Sequence, residues 1–158
     1  PKEGLGRPAL RRSRHARVTA PGVCKWCGYG ADTLGLSPML KRTLLECPEF
    51  LAGDHTVLRE LLHPAKQPVQ LSYSLAHGRL APGRRSKWHK LASSEVYYFI
   101  AGQGRFNIGS DTQLVEGGSI VYVPPGGNQS LENIGTTEIE FLCLVDPAWR
   151  VEDEQVEE

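Results

Sequence analysis

The sequence predicts an all-β fold, an antiparallel barrel or jelly roll of two sheets, preceded by a disordered N-terminal extension. Three observations predict it. Short apolar runs rich in β-branched and aromatic residues recur about every ten residues. The 17 Gly and 11 Pro of the 158 residues fall mostly between those runs. The first 34 residues show no sustained apolar periodicity. Each such strand offers one apolar face, and only a closed barrel or a pair of stacked sheets lets many short strands share one core. A 40% apolar composition suffices for one domain with modest extensions.

Residues 1–34 are expected to be a disordered or accessory segment. They mix Arg, Gly, Pro and Ser, and residues 1–30 carry seven basic side chains against a single acid, Glu3. A composition of that kind cannot bury a core. An Arg-rich, acid-poor stretch is open to three readings here: a transit peptide, a cloning remnant or a misassigned start. Residues 35–150 are expected to form the barrel domain. Within it, residues 37–50 read as a short helical turn or irregular entry. Thr56 to Leu62 reads as a strand closed by Pro64, and Leu71 to Leu80 as a strand ended by Pro82-Gly83. Glu95 to Ala101 (Glu-Val-Tyr-Tyr-Phe-Ile-Ala) carries the clearest strand signal. Gly102-Gln103-Gly104 turns the chain into Arg105 to Ile108. Ser119 to Val123 is stopped by Pro124-Pro125-Gly126-Gly127, and Ser130 to Asn133 and Glu138 to Val145 follow around Gly135. Residues 151–158, with five acids and no base, read as a solvated acidic tail.

Charge and cysteine usage exclude several function classes. Lys plus Arg equals Asp plus Glu at 18 each, whereas a general nucleic-acid binder shows a basic surplus. No apolar run approaches the roughly 18–20 residues that span a bilayer as a helix. A cytoplasmic protein with no nucleic-acid and no membrane partner is the expectation. Cys24 and Cys27 form a CxxC without a second cysteine pair or an HxxxH, so they read as a reduced pair and not as a zinc site. Nothing suggests a disulfide-stapled secreted chain.

Two spacings carry more information than composition does. Gly83 is followed after five residues by His89-Lys90-Leu91, then by Glu95 and Gly102. Gly118 is followed after five residues by Pro124, then by Gly126, Gln129 and Asn133. Both resemble the paired motifs of the cupin superfamily over roughly residues 54–150, and in particular its small single-domain type-2, conserved-barrel members. The resemblance implies a double-stranded β-helix of jelly-roll type. In the family the pattern holds a divalent metal with three His and one Glu. Here His89 and Glu95 stand at ligand positions, Leu91 replaces the second His, and Gln129 replaces the third. Leu cannot coordinate a metal, and a Gln oxygen is a weak donor.

Strand alternation supplies the rest of the site. Residues two apart share a face, so Glu95, Tyr97 and Phe99 point together, as do Gln129 and Leu131, and Phe141 and Cys143. In a closed barrel these faces meet. The expected site is therefore a metal seat of His89, Glu95 and Gln129 in a cavity lined by Leu91, Tyr97, Phe99, Leu131, Phe141 and Cys143. His77 is expected to point outward as a surface or interface residue. Asp54-His55 reads as a turn, and Tyr73, Tyr98 and Trp149 as core or interface. The cofactor expectation is one divalent transition metal (Fe, Mn, Ni, Cu or Zn) or none. The functional expectation is a small-molecule-binding barrel. It is either a metal-dependent oxygenase, isomerase or lyase, or a non-catalytic ligand-binding or sensor protein. A metal-free isomerase using Glu95 or His89 as acid or base is a third form. The expected partners are a small-molecule ligand and a second copy of the chain in a homodimer, which would cover an exposed strand edge.

Overall fold

Eleven strands and two 3-10 turns make up residues 39–158, the part of the chain that the computed structural model describes. The residues 1–34 segment and its Cys24/Cys27 pair lie outside the described residues. A 3-10 turn at Leu44–Glu46 leads into β1 (Glu49–Leu51), β2 (Val57–Leu62) and β3 (Ser74–Leu80). Then come β4 (His89–Leu91), β5 (Ser94–Ala101), β6 (Gln103–Ile108), β7 (Asp111–Glu116) and β8 (Ile120–Val123). The chain closes with β9 (Gln129–Asn133), β10 (Ile139–Asp146), a second 3-10 turn and β11 (Glu154–Val156).

Two antiparallel sheets face each other. One has the order β1-β2-β3-β10-β5-β8, the other β11-β4-β9-β6-β7. Alternation decides what enters between them. Along β10, Ile139, Phe141, Cys143 and Val145 are buried, and the residues between them are not. Along β5, Glu95, Tyr97 and Phe99 are buried and Tyr98 and Ile100 are half exposed. Phe99 pairs with Phe141 across the ladder, and their rings meet those of Tyr97 and Phe106 at centroid distances of 5.0–6.4 Å. Offset and edge-on rings at such distances contribute beyond the area they bury.

Two motif residues hold the barrel's end together. The Asn133 amide donates to the Leu80 and Thr137 carbonyls at 2.8 and 2.9 Å and accepts from Gly135 N–H at 3.0 Å. It thereby ties the end of β9 to β3 and to the start of β10. Gly102 makes the β5–β6 corner with φ +85°, and a Cβ there would lie 2.6 Å from the Glu138 carbonyl. Left-handed backbone and backbone-to-backbone contact both demand glycine. Gly102→Ala is expected to destabilise the barrel by about 1–3 kcal/mol, read as a lower denaturant midpoint. An unchanged midpoint would show that this corner relaxes freely.

Three sequence expectations are corrected here. The strand expected from Leu71 starts only at Ser74. Residues 151–158 are not a solvated tail: a 3-10 turn spans Val151–Asp153 and β11 pairs with β4, Val156 opposite His89. β7 was not anticipated, because its Asp-Thr-Gln-Leu-Val-Glu run buries only Val115 and lies at a sheet edge. No helix among the described residues is long and apolar enough to cross a membrane.

Candidate functional site

The two motifs meet where the sheets face each other. His89 on β4 lies directly across the ladder from Gln129 on β9. Glu95 on β5 projects from the opposing sheet, between Val123 and Val145 in register. All three are buried, at 6%, 0% and 3% exposure. They line a cavity of about 510 Å³. Leu91, Tyr97, Leu131, Phe141 and Cys143 also line it, while Phe99 packs behind the wall.

Glu95 is the best-connected group. Its carboxylate accepts from Tyr97 O–H at 3.0 Å, from Cys143 S–H at 3.5 Å, and from the Gln129 amide N–H₂. The three donors lower the cost of a charge in this place but do not cancel it. Burial raises the Glu95 carboxyl above its ordinary 4.5, against the opposing pull of His89 and of those hydrogen bonds. Burial also raises the Cys143 thiol and the Tyr97 phenol well above their ordinary values. Both stay neutral near pH 7 and act as donors, so the soft thiolate that Cys143 would offer a metal is absent.

His89 has a defined orientation. Its Nδ1 lies 3.1 Å from the Lys87 carbonyl, which can only accept, so Nδ1 carries a proton. Nε2 makes no hydrogen bond among the described residues. Behind the ring, Asp54 Oδ2 lies 3.7 Å from Nδ1. Asp54 corrects the turn-only expectation. It does make a turn, Oδ1 accepting from Thr56 N–H at 3.0 Å and from the Thr56 hydroxyl at 2.7 Å. It is also 6% exposed and on the cavity wall. A carboxylate between Gly53 and His55 carries no strand periodicity, so the sequence held no signal for its burial.

His77 is a second correction. It points away from the cavity, between Ala76 on the wall and Gly78 packed against the Phe141 ring. Yet it is 4% exposed, with Nε2 3.5 Å from Glu140. Trp149 reaches the site from the chain's last strap. It lines the cavity and donates from Nε1 to Glu154 at 3.1 Å.

The donor set falls short of a transition-metal seat. No three His, Cys, Asp or Glu side chains converge on a common point among the described residues. Both Glu95 oxygens already accept hydrogen bonds. A seat with one imidazole and one engaged carboxylate does not fit the usual three or four strong donors.

The raised carboxyl has a consequence for stability. The folded chain keeps the Glu95 proton to a higher pH than the unfolded chain does, so folded protein binds more protons in the interval above 4.5. Stability therefore falls as pH rises through the raised value. Glu95→Gln removes that fall. The variant should gain melting temperature relative to the parent as pH rises above 4.5. A parallel pair of pH profiles would mean that Glu95 titrates normally.

Comparison with known proteins places this geometry among others. Residues 76–145 match the family described as Cupin domain. An uncharacterized protein of Methanocaldococcus jannaschii is 31% identical over 108 residues, 68% of this chain and 86% of the relative. The oxalate-binding protein of Thermotoga maritima is 31% identical over 71 residues, 44% of this chain and 59% of the relative. Among solved structures, the Streptomyces nucleoside dehydratase Pac13 with uridine shares the fold with a TM-score of 0.62 at 22% identity. That match covers 75% of this chain and 90% of Pac13.

Proposed function

This chain belongs to the cupin family, and from that premise we propose that it binds a small organic molecule inside its barrel and moves protons on it with Glu95 and His89. The observation that carries the reading is the Glu95 carboxyl. It sits in a largely apolar cavity, is shifted toward its protonated form by burial, and is held by three side-chain donors. Cavities of this size with a few convergent polar groups are the usual form of a ligand site. A raised carboxyl near an imidazole whose Nε2 has no partner supplies two groups that can take up and release protons. Proton transfer is the step shared by isomerases and lyases. The likeness to Pac13 is one of fold, and the oxalate-binding relative supports a small-molecule ligand without naming it.

The test is a fragment screen by methyl and aromatic NMR on chelator-dialysed full chain. Binders should shift Leu91, Leu131 and Phe141 signals, and Glu95→Gln should weaken those with a polar head. Binders that cluster elsewhere, or none at all, would contradict the reading.

A second reading rests on one specific atom. Gln129 Oε1 is buried and unpartnered among the described residues. A divalent cation held by His89, Glu95 and Gln129 would engage it. Stoichiometric metal in protein purified without an affinity tag would favour this reading over the first.

We also propose a homodimer. Tyr98 and Ile100 on β5 and Ile120 and Tyr122 on β8 are exposed on adjoining strands at a sheet edge, where a second copy would cover them. Sedimentation showing only monomer at micromolar concentration contradicts it.

A further inference from the structure

Two acceptors on the cavity wall lack a hydrogen-bond donor among the described residues. Gln129 Oε1 is fully buried and unpartnered. The Gln129 N–H₂ donates to Glu95, which leaves Oε1 facing away from that carboxyl. Asp54 Oδ2 accepts no hydrogen bond, whereas Oδ1 takes two from Thr56. The formal charge of the wall runs the same way. Asp54, Glu60, Glu95 and Glu154 line it against a single ammonium, Lys66, which is paired to Glu60 at 2.8 Å.

An anion entering this cavity would meet carboxylates and lone pairs. A donor-bearing cation would satisfy both. At the mouth, Phe50, Leu51 and Val151 are 47%, 66% and 71% exposed and lie on the cavity wall. They offer apolar surface to the part of a ligand farther from the acceptors.

We infer that the ligand is a small organic amine, its ammonium head received by Asp54 and Gln129 Oε1 and its apolar body running to the mouth. An ammonium carries three N–H donors and no acceptor, which is the complement of this wall. A dicarboxylate such as oxalate is the opposite case. The inference rests on the proposed cavity site and adds the chemical class of its occupant.

The experiment compares n-hexylammonium, n-hexanol, hexanoate and oxalate as probes on the chelator-dialysed full chain. Affinity is read by calorimetry and location by the cavity NMR signals. Hexylammonium should bind at least about tenfold tighter than hexanoate, and oxalate should not register. Asp54→Asn keeps an oxygen for Thr56 and should erase the preference for the ammonium while leaving hexanol unchanged. A second readout needs no variant: raising the salt concentration should weaken hexylammonium and leave hexanol alone. Hexanoate or oxalate binding as tightly as hexylammonium overturns the inference. So does an ammonium preference that survives both Asp54→Asn and high salt. Hexanol shifting the cavity signals with no gain for hexylammonium sinks this inference alone. If no probe shifts them, the small-molecule reading of the cavity falls as well.

Discussion

Leu91→His combined with Gln129→His is expected to convert the cavity into a metal seat, with a metal-dependent gain in stability of about 3–4 kcal/mol at 100–1,000 times the dissociation constant. The geometry underlies this expectation. Position 91 shares the buried face of β4 with His89. Position 129 lies directly across the ladder from His89. Glu95 reaches the same point from the other sheet, as its hydrogen bond with Gln129 shows. Two imidazoles added there would supply the strong donors that Leu and Gln do not. Without metal, each substitution buries polarity and should cost about 1–3 kcal/mol. Excess Zn²⁺ or Mn²⁺ should recover that loss, and Glu95→Gln in the same background should remove most of the recovery. The parent chain should respond little. His77→Ala is the control, since His77 faces away from the cavity, and it should leave the metal response unchanged. A double variant that gains nothing from Fe²⁺, Mn²⁺, Ni²⁺ or Zn²⁺ would show that these positions do not converge.

Phe99→Ala should unfold the barrel most readily of the single substitutions considered. The ring is 1% exposed and packs against Tyr97, Phe106 and Phe141. Its removal forfeits the transfer of a large side chain and leaves a void between two sheets that their ladders prevent from closing. Such truncations cost about 3–5 kcal/mol. For a domain of this size that is a fall of roughly 10–25 °C in melting temperature. Phe99→Leu should cost much less, because it refills most of the volume. Equal losses in the two variants would show that the damage is not a cavity. A loss under about 1 kcal/mol in Phe99→Ala would mean that the aromatic cluster is not the core's centre.

Much of this was legible because strand period and motif spacing reinforce each other. The Glu95–Ala101 run has both β-branched composition and a strict inward alternation, and it forms β5 with one residue added at its start. The Gly102 corner and the Asn133 anchor stand at fixed motif spacings whose purpose is local: a positive φ and a buried amide. What escaped had other causes. β7 offers only one apolar residue to each face, Leu114 and Val115, too few to show an alternation, and is held by its ladder to β6. β11 hides in a run of acids because its strand is defined by β4 and not by its own side chains. Asp54 reads as a turn residue because it is one, and its second role appears only when β4 brings His89 beside it. His77 was placed on the correct side of β3, but exposure does not follow from direction. Its register partner Arg59 is bound to the Cys47 carbonyl and to Glu49, so that outer face is built over.

The central claim is that Glu95 is a protonatable carboxyl facing a ligand cavity, and not one arm of an occupied metal seat. The most direct measurement is a ¹³C NMR titration of the Glu95 side-chain carboxyl in chelator-dialysed protein, repeated with one equivalent of Mn²⁺. The signal should titrate above the ordinary 4.5, because burial raises it, and should stay sharp when Mn²⁺ is added. Titration at or below 4.5, or loss of the signal to paramagnetic broadening at one equivalent, would contradict the account.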